Sequence, residues 1–386
     1  MIRYLFIIIL GFDIAILLFQ TSQLSISYDE AYLVYYDSSF LHYLINLSFY
    51  IFGQNDFALR FPMIMLHVGS VFLLYKISKY YILDLKDRLY LIVIYILLPG
   101  VMSSAIVVNI AGILLFGLFV YIYMYKNNFK YITYILMLLY SLIDGSFIYL
   151  FIGAFFDGIY KKELKQTLFS IVSFFISVYL YGVEAYGAPK GHFLDFIGIY
   201  SAIFSPIIFI YIIYVLYRVY FMQRKDLDIL WFLAVNAFLI SLVLSFRQRV
   251  AIEHFAPYII VALPLVAKVF ILSYKIRLKM FRKWYKTIFI VSFIFLVLNG
   301  IVVLSNKYLY IFIKNPKDNF AYNMHIAKEL ASELKKQNTT CTNLDMPMML
   351  RLKFYGISTC KDKKDVTVSY NGVVVYKTDV TKINSQ

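Results

Sequence analysis

The chain has 386 residues, of which 62% are hydrophobic and 15% charged, with a mean hydropathy of +0.74. Soluble globular chains carry about 25% charge, so this composition excludes one and indicates an α-helical polytopic membrane protein. The net charge of +15 does not imply nucleic acid, because the basic residues fall in short loops between apolar runs, where membrane orientation accounts for them.

The first apolar run, residues 4–20, follows a single Arg3 and ends in Gln20-Thr21-Ser22-Gln23 with no small-residue cleavage site. It reads as a retained signal anchor with a cytoplasmic N-terminus. Further runs at 61–82, 89–105, 110–125, 131–143, 146–160, 167–183, 196–217, 229–246, 256–273 and 287–305 predict about eleven spans. The stretch 131–160 is either one over-long helix or a hairpin turning at Asp144-Gly145, and charge decides between them. With the hairpin, the basic groups at Arg3, 76–88, 126–130, 161–165, 218–225 and 275–286 all face the cytoplasm. Only Arg60, Lys190, Arg247 and Arg249 remain in outer loops, a strong positive-inside bias that a single helix would destroy. The inner loop 275–286, with Phe281, Trp284 and Tyr285 among its cations, is expected to rest on anionic membrane lipids.

Residues 306–386 change character, with a helix-like run at 319–336 and a strand-like run at 366–376 around Asn371-Gly372. They read as a small C-terminal exocytoplasmic α/β domain, separate from a transmembrane module of residues 1–305. Both cysteines, Cys341 and Cys360, lie in it, which suits a disulfide in an oxidising compartment; two buried free thiols are the other reading their number allows. No P-loop, GxGxxG, HExxH or CxxC occurs, so nucleotide hydrolysis and the familiar metal motifs have no support.

The candidate chemistry lies in outer loops: 21–60, the turn near Asn109, 184–195 and 246–255. In the first, residues 25–36 can start a helix, and the mixed aromatic and aliphatic run to Phe52 suggests helices lying in the membrane interface. Acidic groups at a bilayer are expensive, so Asp29-Glu30 is a candidate catalytic pair. Ser27-x-x-Glu30 is also a capping box, which gives Glu30 a structural duty and leaves Asp29 without one.

The order of residues is similar to a known pattern. Asp29-Glu30 follows helix one, and Phe52-Gly53-Gln54-Asn55-Asp56-Phe57-Ala58-Leu59-Arg60-Phe61-Pro62 opens helix two. This resembles the GT-C membrane glycosyltransferases of the protein O-mannosyltransferase and aminoarabinose lipid A transferase type, over residues 28–81 and more weakly over 99–125 and 247–264. The resemblance implies a GT-C fold in the cytoplasmic (inner) membrane and inverting transfer of a sugar from a polyprenyl-phosphate donor to a lipid, glycan or protein acceptor at the outer face. Asp29 then stands at the essential acid's position, and Arg60, His42, Lys190, His192, Arg247, Arg249 and His254 are candidates to hold the lipid phosphate. Each also has a plain reading: Arg60 as a snorkelling side chain, Arg249 paired with Glu253, and Lys190 with His192 in a solvated turn.

Two departures bear on the donor. Asp37-Ser38-Ser39-Phe40-Leu41-His42 replaces the family's Lys or His with two prolines, and Asn109 stands where a second acid commonly opens helix four; Asp144 is the candidate substitute. A divalent metal therefore stays open as a cofactor. The competing functions are a lipid or glycan flippase, for which Asp13 and Asp157 are the acids inside spans, and a surface-polysaccharide polymerase or ligase.

Overall fold

In lipid each backbone polar group needs an internal partner, so the apolar runs fold as helices. The structure, a computed structural model, describes residues 2–182, 191–222, 226–360 and 366–377. In chain order come α1 (Ile2–Gln23), α2 (Tyr28–Tyr36), α3 (Phe40–Phe52), α4 (Asp56–Ile77), α5 (Leu85–Leu97) and α6 (Pro99–Ile106). Then follow α7 (Ile110–Lys126), α8 (Lys130–Ile143), α9 (Ile148–Lys161), α10 (Leu164–Tyr181), α11 (Phe193–Phe204) and α12 (Pro206–Met222). The remainder are α13 (Ile229–Ser245), α14 (Ala256–Ile260), α15 (Leu263–Ile276), α16 (Lys279–Leu304), α17 (Ala327–Lys336), β1 (Cys341–Thr342), α18 (Met346–Phe354), β2 (Ser358–Thr359), β3 (Thr367–Tyr370) and β4 (Val373–Lys377).

Among the described residues, five helical segments are long and apolar enough to cross a membrane, or seven if the bent pairs α5–α6 and α11–α12 each count as one span. These seven coincide with seven of the eleven expected runs. The other four fold as α7, α8, α9 and α13, of 17, 14, 14 and 17 residues, shorter than the roughly 20 residues that cross a bilayer unaided.

The chain divides into two compact units. The first comprises residues 1–14, 63–105 and 109–300, and the second residues 15–62, 106–108 and 301–386. In the first, the α8–α9 hairpin forms as charge required: Lys130 at the start of α8 meets Glu163 before α10 at 2.8 Å. At the other end Tyr181 donates to the Leu142 carbonyl at 2.7 Å. Basic loops also meet one another. Lys126 pairs with Asp228 at 2.7 Å, Tyr81 donates to the same carboxylate at 2.5 Å, and Lys161 at the end of α9 donates to the Tyr125 hydroxyl at the end of α7 at 2.7 Å. The loops after α4, α7, α9 and α12 therefore gather at one end of this unit.

The second unit differs from a free-standing C-terminal domain, because the first loop, 21–60, belongs to it along with the C-terminal segment. Arg351 on α18 donates Nε to the Ile26 carbonyl at 2.8 Å and Nη2 to Ser25 Oγ at 3.2 Å. Tyr355 accepts from the Ile26 amide at 3.0 Å and donates to Asp56 at 2.7 Å. Its core packs Ala327, Leu330, Ala331 and Leu334, one face of α17, against Met348, Leu352, Val368 and Tyr370. The Asn371-Gly372 turn closes the β3–β4 hairpin with both residues at positive φ, 49° and 81°, as a two-residue hairpin requires. The disulfide joins Cys341 and Cys360, whose Cα atoms are 5.5 Å apart, beside the parallel β1–β2 pair. The helix expected over 319–336 starts only at Ala327. Asn319 hydrogen-bonds the Ala321 amide and the Asn306 carbonyl, a local competition with helix that leaves short 3-10 turns ahead of α17.

His325 is buried in this core, receiving the Tyr310 hydroxyl at Nδ1 (2.8 Å) and donating Nε2 to Asn306 Oδ1 (3.0 Å), which fixes the neutral ring. Burial, reinforced by the Lys307 charge, lowers its pKa to about 4. The unfolded chain, with a His pKa of about 6.5, binds the proton first as pH falls. Stability from this group is thus present above about pH 6.5, is lost as pH falls through the interval to 4, and levels off below it. The loss should reach the order of 3 kcal/mol. His325→Gln should flatten thermal stability between pH 6.5 and 4 relative to wild type.

Candidate functional site

The acidic pair separates because helix geometry turns neighbouring residues to different faces. Ser27 caps α2 by accepting from the Glu30 amide at 3.1 Å, while Glu30 Oε2 accepts from the Ser27 amide at 2.9 Å, completing the capping box. The same carboxylate lies 3.3 Å from Arg60 Nη2, and its other oxygen accepts from the Val108 amide at 3.1 Å. Arg60, with 0% exposure, also donates to the Leu24 and Ser25 carbonyls at 3.3 and 2.8 Å. Both partners are interior: Glu30 is held by structure, and Arg60 is a buried clamp in place of the snorkelling or phosphate-facing cation expected. Asp29 is exposed in the first turn of α2 and makes no hydrogen bond or ion pair among the described residues.

His42 is also occupied. Its Nδ1 lies 2.8 Å from the Leu33 carbonyl and its Nε2 lies 2.7 Å from Asn46 Nδ2, so the neutral tautomer donates to Leu33 and accepts from Asn46. Neither ring nitrogen is left for a phosphate. The Asp37-Ser38-Ser39 segment forms the turn between α2 and α3, with Asp37 accepting from the Ser38 amide at 2.8 Å and Ser39 capping α3. Around it, Tyr28, Tyr32 and Tyr36 form an exposed row of rings along α2, with centroids 6.3 and 5.6 Å apart.

The remaining candidates belong to the other unit. His254 hydrogen-bonds Ser146 through Nδ1, Tyr258 donates to the Ser146 carbonyl at 2.8 Å, and Asp144 caps the same turn by accepting from the Ser146 amide at 2.7 Å. The tip of the α8–α9 hairpin thus locks the segment before α14. Asn109 caps α7 through the Ala111 amide at 3.1 Å. His192 sits beside this region, its amide bonded to the Ser245 carbonyl at 2.9 Å and its ring 3.2 Å from Asp195. Lys190 lies outside the described residues. Arg247 and Arg249 are exposed, and among the described residues neither has a carboxylate partner. Glu253 does not pair with Arg249, because 247–251 is loop and not the helix that an i,i+4 pair needs.

No three His, Cys, Asp or Glu side chains converge as metal ligands among the described residues. Comparison with models of known protein families, with curated proteins and with solved structures returned no match.

Sequence reasoning passed over Ser146 and Tyr258, which position His254, and His67, whose Nε2 lies 2.8 Å from Asp13 Oδ2 inside the span bundle. Asp13 was the available signal for the last pair: a buried acid in a span needs a partner, and His67 in the next span was the one to seek.

The two carboxylates predict opposite stability effects. Glu30→Ala leaves the buried Arg60 only the longer pair to Asp56, at 4.0 Å, and should cost about 3 kcal/mol. Asp29→Asn should stay within about 0.5 kcal/mol of wild type. Thermal unfolding of the two purified variants in detergent checks this, and equal losses would remove the distinction.

Proposed function

We propose that the protein is a GT-C type glycosyltransferase of the cytoplasmic membrane. In this reading it moves a sugar from a polyprenyl-phosphate donor to a lipid, glycan or protein acceptor at the outer face, where the C-terminal segment also lies. The observation that carries the reading is the state of Asp29: an exposed carboxylate without a partner among the described residues, next to a carboxylate that the fold consumes entirely. It stands in the first turn of α2, at the partially positive end of the helix.

The chemistry that suits such a group is attack of an acceptor oxygen on the anomeric carbon as the bond to the carrier phosphate breaks. Asp29 takes or orients the acceptor proton, and the carrier leaves with the electron pair as an anion. Cations aimed at that anion lower the barrier. Of the residues first considered for this task, Arg247 and Arg249 are exposed and have no carboxylate partner among the described residues, as the task demands. The exposed tyrosine row on α2 suits an approach by lipid-borne substrate at the interface.

One observation favours a second reading, a transporter: the Asp13–His67 pair, buried between α1 and α4, has the make-up of an intramembrane proton site.

Membranes supplied with radiolabelled polyprenyl-phosphate sugars separate the two. Asp29→Asn should lower transfer by about 10²-fold or more at normal expression, and Arg247→Ala with Arg249→Ala should weaken use of the lipid donor. Full transfer by Asp29→Asn removes it from the mechanism. Substrate movement across vesicles that depends on Asp13 but not on Asp29 establishes the second reading instead.

A further inference from the structure

The first unit contains a cavity of about 680 Å³ between α5, α12, α15 and α16. That lies within the roughly 300–1,000 Å³ of small-molecule sites, and its lining includes none of the residues considered for sugar transfer. Its walls are mostly apolar and aromatic, with Tyr211 and Tyr285 hydrogen-bonded across it at 2.9 Å.

The charges in its lining occupy one end only. Arg218 lies toward the end of α12, Lys275 in the last turn of α15 and Arg277 just after it, Lys286 in the first half of α16, and Asp84 and Asp87 at the start of α5. Beyond them the lining is hydrocarbon and ring, reaching Leu263 on α15 and Leu296 on α16. From Lys286 to Leu296 a helix rises about 15 Å, close to half of a roughly 30 Å hydrocarbon core. Long, apolar and charged at one end, the cavity has the polarity of a single lipid in one leaflet.

We propose that this cavity is a binding site for an anionic phospholipid, with its acyl chain between α15 and α16 and its phosphate among Arg218, Lys275, Arg277 and Lys286. Four cations face two carboxylates, and none of the four is in an ion pair among the described residues, so a negative headgroup completes the charge balance. Arg218 is oriented by donating Nη1 to Ser273 Oγ at 2.7 Å, and Arg277 is held over the Tyr285 ring at 4.4 Å. Entry is lateral: along α16 only Leu296 and Gly300 are buried, so this helix stands against lipid over most of its length. The proposal is independent of the sugar-transfer reading.

Native mass spectrometry of the full chain in detergent, titrated with phosphatidylglycerol or phosphatidylcholine, tests it. Wild type should retain phosphatidylglycerol about tenfold better. Lys275→Gln with Lys286→Gln should remove most of that preference while leaving the fold intact, since among the described residues neither side chain makes a hydrogen bond or ion pair. Ala267→Trp, which fills the chamber from α15, should lower retention of both lipids. Equal retention of the two lipids by wild type, unchanged retention in both variants, or displacement by millimolar inorganic phosphate would each overturn the site.

Discussion

The Arg60–Glu30 pair is the constraint on which the second unit depends. Removing two charges from water costs several kcal/mol per ion, and their attraction repays it only when the other polar atoms find partners too. Here Glu30 accepts from Ser27, Val108 and Arg60, and Arg60 donates to two carbonyls of the loop after α1, so that of the pair's polar atoms only Arg60 Nε lacks a hydrogen-bond partner among the described residues. One ion pair thereby fixes the end of that loop, the start of α2, the first turns of α4 and the 106–108 segment. Arg351 takes the neighbouring Ser25 and Ile26 groups and adds α18 to the same cluster.

This arrangement gives Asp29 its character. A helix start held by a capping box and a buried ion pair has little freedom, so the residue beside Glu30 projects outward from a rigid base. Rigid support under an exposed group is what a positioned carboxylate needs, because loss of about an ångström in placement is costly for proton transfer. The α2–α3 turn is stiffened in a second way by His42, which ties α2 to α3 and α3 to itself.

What was legible in the sequence follows from how local the cause is. The capping box, the Asn371-Gly372 hairpin and the α8–α9 turn at Asp144 were readable because each rests on a few adjacent residues or on a charge count along the chain. The disulfide was readable from two cysteines in one segment. The burial of Arg60 was not: an arginine opening an apolar helix looks the same whether it reaches water or folds back 30 residues to Glu30. Nor was the union of the first loop with α18, because a contact between Ile26 and Arg351 spans 325 positions and leaves no local pattern.

The first unit uses its cations in two ways. At the end where the basic loops gather, Lys126, Lys130 and Lys161 are each matched by Asp228, Glu163 or Asp157, with Tyr81 and Tyr125 closing the networks. Those pairs tie short helices together, which matters because α7, α8, α9 and α13 are short for spans and gain from being fixed at their termini. At the other end Arg247 and Arg249 have no carboxylate partner among the described residues, on a loop whose backbone is anchored by Ser146, His254 and Tyr258. An exposed unpaired arginine adds little to folding, whereas its side chain keeps all its donors for an anion from outside. The contrast within one unit separates cations that build the fold from cations available for binding.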